Sequence, residues 1–290
     1  MTSSKAPPRD GYYTVRDGLR LHYRDFPGPL DKPAVLCLHG LTRNARDFEE
    51  FGARISPRFR VLALDFRGRG SSESDPDPAR YLPPTYAHDV IALLDHVGVA
   101  DAVFVGTSLG GIVAMLVAVI DEDRIAASIL NDVGPELSTE GIDRIRDYVG
   151  SGRTFAGWEE AGAAVRSNQA GLPACYEPAD WEKMARRLCR ENEDGTVRFD
   201  YDPAIAEPFK TANDGPPADL WPLFDALARR PVLVVRGEHS DLLTAAQIEA
   251  MERRSGNVES VTVAGAGHPP ELDEPEAVAA IDKFLEAVAP

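Results

Sequence analysis

Cysteine is scarce in this 290-residue chain, and basic charge is outnumbered. The thiols are Cys37, Cys175 and Cys189. Their number is odd and their spacing matches no zinc-binding or CxxC pattern. Cys37 lies inside an apolar run and reads as a small core filler, and Cys175 and Cys189 carry no assigned chemistry. A reducing cytoplasm fits this usage best. Lys and Arg total 31 against 47 Asp and Glu, a formal net charge of −16. That balance argues against nucleic acid as a partner and against docking on anionic membranes. No apolar stretch reaches the roughly 18 residues of a membrane-crossing helix. The polar, proline-bearing segment Met1 to Gly11 lacks the apolar core of a signal peptide and is expected to be an unstructured tail. Long internal repeats and low-complexity segments are also missing.

What the chain does have is a rhythm. Tyr12–Val15 and Leu19–Tyr23 read as a hairpin around Arg16-Asp17-Gly18. Short, continuously apolar runs follow at Pro33–Leu38, Arg60–Leu64, Ala102–Val105, Ala126–Leu130, Pro231–Val235 and Val258–Val263. Runs that do not alternate suggest strands buried on both faces, as in a parallel sheet. Helical patterns separate them at Ala45–Ile55, Thr85–Val97, Leu109–Ile120, Thr244–Arg254 and Pro275–Val288. The expected class is therefore α/β, a mostly parallel sheet with helices on both faces. The alternation breaks between about Pro135 and Pro217, a stretch with no strong strand and its clearest helices at Trp158–Ser167 and Pro178–Glu191. Residues 1–135 and 217–290 are expected to form the core, and 136–216 a helical cap over the carboxyl ends of the strands, where ligands bind in open α/β sheets.

Gly106-Thr107-Ser108-Leu109-Gly110 joins a buried strand to a buried helix. G-x-S-x-G in that context places a serine on a tight turn at the sheet's end. The flanking positions must be small because helix and strand pass closely, and the helix N-terminus favours developing negative charge. Ser108 is the expected nucleophile.

With Ser108 in place, the chain resembles the α/β-hydrolase superfamily over nearly everything except the middle insertion. The resemblance is carried, in the family's order, by His39-Gly40, by Asp65-Phe66-Arg67-Gly68-Arg69-Gly70-Ser71-Ser72, by the Ser108 turn, by Gly237 to Asp241, and by Gly265-Ala266-Gly267-His268. A serine hydroxyl needs an adjacent base. Of the six histidines, His22 lies in the hairpin, His88 and His96 lie on an amphipathic helix, and His239 follows the penultimate strand near the acid. His39 matches a histidine that supports the oxyanion loop in the family. His268, on a small-residue loop after the last strand, is the expected base. The acid should come from a strand end between Ser108 and His268. Asp241 and Asp132 both qualify, Glu238 less well, and the family's commoner position matches Asp241. The backbone N–H groups of Leu109 and Leu41 are the expected oxyanion donors. Arg43 and Asn44 either bind a substrate carboxylate or carbonyl, or fix their loop by pairing with Asp65–Ser72, where Arg67 and Arg69 read as structural. Trp158, Tyr176, Trp181 and Phe209 either shape the pocket or form the cap's own core.

The resemblance implies a serine hydrolase of carboxylic esters, aryl or short-chain, or of lactones, acting through an acyl-enzyme. It needs no metal or organic cofactor, and its partner is a small-molecule ester or lactone. Enol-lactone or carbon–carbon hydrolysis in aromatic degradation is the alternative within the fold. A non-hydrolytic lyase or perhydrolase, or a ligand receptor, is the alternative from another class. Dehalogenases and epoxide hydrolases of this superfamily carry aspartate where this chain has Ser108. Proline iminopeptidases usually have tryptophan where it has Leu109. The oligomeric state is not legible.

Overall fold

The computed structural model describes residues 7–136, 138–169, 176–208 and 219–289. The apolar runs become strands of one eight-stranded sheet. These are β1 (Arg9–Thr14), β2 (Arg20–Phe26), β3 (Ala34–Leu38), β4 (Val61–Leu64), β5 (Ala102–Thr107), β6 (Ile125–Asn131), β10 (Val232–Gly237) and β11 (Val258–Val263), in the spatial order β1-β2-β4-β3-β5-β6-β10-β11. The opening hairpin is antiparallel, as is the β2–β4 pair. From β4 through β11 every neighbouring pair is parallel.

Successive side chains of a strand point to opposite faces, and here both faces are buried. Leu36, Leu38, Leu62, Leu64, Phe104 and Leu130 join one apolar cluster. Their neighbours Val35, Cys37, Val61, Ala63, Val103, Val105 and Ile129 join the other. The helices α2 (Pro83–Val97) and α3 (Leu109–Ile120) cover the first face. The helices α1 (Glu49–Ile55) and, near the C-terminus, Pro275–Val288 cover the second. Each fully buried Val, Leu or Phe contributes about 1.5–3 kcal/mol, so the central strands anchor whatever their ends carry. Arg9–Gly11, expected in an unstructured tail, instead pair with Tyr23–Asp25 in β1. Met1 to Ala6 lie outside the described residues.

Between β6 and β10 the chain forms α4 (Thr139–Tyr148), β7 (Thr154–Phe155), α5 (Trp158–Ser167), α6 (Pro178–Leu188), β8 (Cys189–Glu191) and β9 (Val197–Phe199). It re-enters the sheet through α7 (Trp221–Leu227), and α8 (Ala245–Arg254) and α9 (Pro275–Val288) complete the fold. The strands β7, β9 and β8 make a small antiparallel sheet where only helices were expected. Strands of two or three residues are too short to show a period. The tail of the expected helix Pro178–Glu191 is therefore β8. Trp181 is buried in the insertion's own core beside Phe155, Met184 and Leu188, with Trp158 and Tyr176 packed against it. Phe209 and Cys175 lie outside the described residues.

A loop after β4 joins insertion to core. Gly70 N–H donates to the Asp200 carbonyl at 3.0 Å, and Asp202 N–H to the Gly68 carbonyl at 2.7 Å. Arg67, buried in that loop, grips Asp89 of α2 with Nε and Nη2 (2.8 and 2.7 Å), and Asp17 and Asp75 with Nη1 (2.8 and 2.5 Å). Asp65 accepts from Ala45 N–H and Ser71 N–H and meets His22 Nδ1. Arg67 and Arg69 are thus structural in their contacts. Arg43 and Asn44 do not pair with Asp65–Ser72. Arg43 pairs with Asp47, and Asn44 Nδ2 donates to the Arg187 carbonyl of the insertion.

Candidate active site

Ser108 occupies the turn between β5 and α3 with φ 50° and ψ −114°. That backbone is strained for any residue with a Cβ, and it is tolerated because strand and helix are fixed by the core. The neighbouring glycines are required by contact. A Cβ on Gly110 would fall 2.1 Å from the Leu38 carbonyl oxygen, and one on Gly106 would fall 2.5 Å from Gly111 N. The turn therefore sits directly against the end of β3, whose loop carries His39, Gly40 and Leu41. A Cβ placed on Gly40 would lie 3.9 Å from the Cβ of Ser108.

His39 sets that loop. It is fully buried, and its Nδ1 lies 2.6 Å from the Gly40 carbonyl while Phe66 N–H donates to its Nε2 at 3.1 Å. Both bonds together require the neutral ring with the proton on Nδ1. Burial pushes its pKa down to about 4, consistent with that form. The bond to the Gly40 carbonyl fixes the Gly40–Leu41 peptide plane and hence the direction of the Leu41 N–H. Arg69 Nε holds the next carbonyl, that of Leu41, at 3.0 Å. Among the described residues neither Leu41 N–H nor Leu109 N–H donates to a protein group, so both remain available to a ligand.

His268 follows β11, and its loop packs closely on the end of β10, where a Cβ on Gly237 would meet the Gly267 carbonyl oxygen at 2.2 Å. His268 Nδ1 lies 2.7 Å from Oδ2 of Asp132. Asp132 is fully buried, stands just past β6 with φ 57°, and accepts Gly237 N–H on Oδ1 at 3.0 Å. This corrects the expectation for Asp241. Asp241 forms a bidentate pair with Arg144 of α4, Nε to Oδ2 at 2.6 Å and Nη2 to Oδ1 at 3.0 Å. The reason is local. The chain turns at Gly237 and runs on through Glu238, His239 and Ser240, so Asp241 emerges toward the insertion. Asp132, one residue beyond β6, stays beside the histidine loop. Asn and Asp adopt positive φ more readily than other non-glycine residues, and Asn131-Asp132 at a strand end was the signal available for this role.

Ser108, His268, Gly40 and Leu41 share one cavity of about 60 Å³. The insertion supplies the facing wall with Arg144, Tyr148, Gln169, Leu188 and Phe199. The Gln169 amide, oriented to satisfy both neighbours, donates to the His268 carbonyl at 3.0 Å and accepts from Arg43 Nη2 at 3.1 Å. Sequence reasoning missed Arg144, Tyr148 and Gln169, since nothing in a polar helical insertion marks which residues face the core. Among the described residues no group of three or more His, Cys, Asp or Glu side chains is placed to hold a metal ion. No helix there is long and apolar enough to cross a membrane.

A serine at a strained strand–helix turn, beside a loop with two unclaimed N–H groups and a histidine backed by a buried carboxylate, is a shared signature. The alpha/beta hydrolase family profile matches residues 35–281. The chain belongs to the alpha/beta hydrolase family. It is similar to the 3-hydroxybutyrate-oligomer hydrolase of Cupriavidus necator, with 32% identity over 97% of this chain and 98% of that protein. It is also similar to the 2-(acetamidomethylene)succinate hydrolase of Mesorhizobium japonicum, with 31% identity over 88% of each. Among solved structures, an alpha/beta hydrolase from Novosphingobium aromaticivorans superposes with a TM-score of 0.91 at 48% identity, covering 97% of this chain and 99% of that one. This alpha/beta hydrolase is thus an enzyme of the hydrolase class, built on a mostly parallel eight-stranded sheet.

Proposed function

We propose that this alpha/beta hydrolase is a serine esterase that cleaves short carboxylic esters through an acyl-enzyme on Ser108. The observation that carries the reading is the pairing of His268 with the buried Asp132 in the cavity that also holds Ser108. As a carboxylate Asp132 only accepts, so Nδ1 of His268 carries the proton and Nε2 is left to act as base. Ser108 Oγ attacks the ester carbonyl and its proton passes to Nε2. The carbonyl oxygen becomes an oxyanion facing the N–H groups of Leu41 and Leu109, where loss of one donor costs about 3 kcal/mol of transition-state stabilisation. The intermediate collapses, the alcohol leaves with the proton from Nε2, and the acyl-enzyme remains. Water then repeats the cycle in reverse and releases the acid. Residues 136–216 act as a cap that closes the site.

The small cavity favours a short acyl group. The Cupriavidus relative is named for hydrolysing oligomers of a hydroxy acid, whose units are joined by ester bonds, which agrees with ester cleavage. Cys37 and Cys189 are free and buried, which fits a reducing cytoplasm.

The test is hydrolysis of p-nitrophenyl butyrate by wild type and Ser108→Ala, with circular dichroism on both and mass mapping of a fluorophosphonate adduct. Turnover lost in the folded variant, with the adduct on Ser108, is the expected result. Turnover retained by Ser108→Ala, or an adduct elsewhere, would overturn the proposal.

A further inference from the structure

The wall of the catalytic cavity carries two arginines, Arg43 and Arg144, and no Asp or Glu among the described residues. The chain as a whole has 47 acidic residues and a net charge of −16. The carboxylates that hold the two guanidiniums, Asp47 and Glu271 for Arg43 and Asp241 for Arg144, lie off that wall. In a protein whose overall field repels anions, a cavity walled this way turns guanidinium groups toward a ligand and keeps their carboxylate partners behind them.

An outer pocket of about 290 Å³, lined by residues of the insertion, adjoins the cavity, and Arg144, Tyr148, Asn168 and Phe199 line both. The outer wall adds Arg153, which lies over the Phe155 ring at 5.4 Å and pairs with no carboxylate among the described residues. It also adds Asp147, its acidic member. We propose that the enzyme selects esters bearing a free carboxylate, and that Arg144, held in place by Asp241, receives that carboxylate where the two pockets adjoin. The proposal rests on the esterase reading above and names its substrate class.

Arg144 is favoured over Arg43 by what each already holds. Arg43 is buried and engages Asp47 at 3.0 Å, Glu271 at 3.7 Å and the Gln169 amide. Arg144 spends Nε and one Nη2 hydrogen on Asp241 and one Nη1 hydrogen on the Asn168 carbonyl at 2.8 Å, and its remaining partner is the neutral Tyr148 hydroxyl, which a carboxylate can displace. The bidentate contact with Asp241 fixes the guanidinium plane, so little further order is lost when a second carboxylate binds. Burial raises the pKa of the Tyr148 hydroxyl on the shared wall, while the charges of Arg144 and Arg43 act to lower it. Both guanidiniums and Tyr148 line the same cavity. Asp241 is on this account a positioning residue for specificity.

The experiment uses two substrates of equal length, the dimeric ester of 3-hydroxybutyrate as free acid and as its terminal carboxamide, with release of the monomer followed by chromatography. Wild type is expected to show a kcat/KM at least about tenfold higher for the free acid, the scale of a hydrogen bond to a charged group. Arg144→Gln is expected to lower the acid-to-amide ratio about tenfold or more, chiefly through KM, with Arg144→Lys recovering part of it. Equal losses on both substrates would make Arg144 a mere tie between insertion and core and overturn the proposal. If Arg144→Gln fails to fold, the wild-type ratio decides alone, since equal rates on acid and amide refute it. Wild-type turnover of p-nitrophenyl butyrate without acid preference would sink this inference and leave the esterase reading standing. Failure on all three esters would remove the esterase reading and this inference with it.

Discussion

Replacing Asp132 by Asn is predicted to abolish catalysis for a reason built into its second hydrogen bond. Oδ1 of Asp132 accepts Gly237 N–H at 3.0 Å, and Oδ2 meets His268 Nδ1 at 2.7 Å. An asparagine there has one oxygen and one NH2. If the oxygen keeps Gly237 N–H, the NH2 faces Nδ1, and the ring must place its proton on Nε2, where it cannot act as base. If the amide flips to serve His268, its NH2 confronts Gly237 N–H in a fully buried site, leaving donors unpaired at about 1–3 kcal/mol. The Gly237 amide thus enforces the wrong tautomer. The expected loss in kcat is about 10⁴-fold, or about 5 kcal/mol of transition-state stabilisation. Asp241→Asn disturbs only the partly exposed pair with Arg144, and its loss on p-nitrophenyl butyrate should stay below about tenfold, or about 1.4 kcal/mol. Both variants are assayed with that neutral ester, with circular dichroism and urea midpoints to show that each is folded. A folded Asp132→Asn enzyme retaining a tenth of wild-type kcat, or an Asp241→Asn enzyme as damaged as Asp132→Asn, would refute the reasoning.

Three further outcomes follow from the packing around the site. His39 has a folded pKa of about 4 against an ordinary 6.5, so between these values the unfolded chain binds more protons and stability rises with pH. Its contribution is complete above pH 6.5 and lost on acidification to pH 4. The stability advantage of wild type over His39→Gln should therefore shrink by about 3 kcal/mol between pH 7 and 4 in urea melts, and a constant difference would contradict it. Gly110→Ala puts a methyl group 2.1 Å from the Leu38 carbonyl oxygen and should destabilise by about 3 kcal/mol or more; an unchanged urea midpoint would disprove the close approach. Arg67→Gln strands the buried Asp75 and Asp89 and should cost about 3–5 kcal/mol, whereas a shift under about 1 kcal/mol would show that the carboxylates find other partners.

The legible part of the fold is the part whose physics is local and repeated. The parallel strands announce themselves because burial on both faces demands unbroken apolar runs, and Leu109–Ile120 reads as a buried helix because it is apolar all round. The Ser108 turn is legible because its glycines answer to contacts at 2.1 and 2.5 Å that admit no other residue. The insertion is less so. Its strands β7, β8 and β9 have two or three residues each, too few for a period, and α4 presents Arg144 and Tyr148 to the site with nothing in its sequence to distinguish them from solvated residues. Arg43 finds Asp47 four residues along its own segment, whereas Asn44 reaches the Arg187 carbonyl only because the insertion docks there, which the sequence around Asn44 does not show.

The choice between Asp132 and Asp241 shows most clearly where local reasoning ends. The strands β6 and β10 are parallel neighbours, with Asn131 opposite Val235 and Asp132 N–H donating to the Val235 carbonyl at 2.8 Å. A carboxylate on either strand end can therefore reach a histidine loop lying across both, and spacing along the chain does not separate the two. What separates them is the backbone at the strand end. Asp132 takes φ 57° immediately after β6, which turns its side chain in under the His268 loop, and the Gly237 N–H at the end of β10 completes its shell. With that position filled from β6, the loop after β10 is free to carry Asp241 outward to Arg144. On the proposed mechanism the two acids then divide the work, Asp132 pairing with His268 from within the core and Asp241 pairing with an arginine of the insertion over the same cavity.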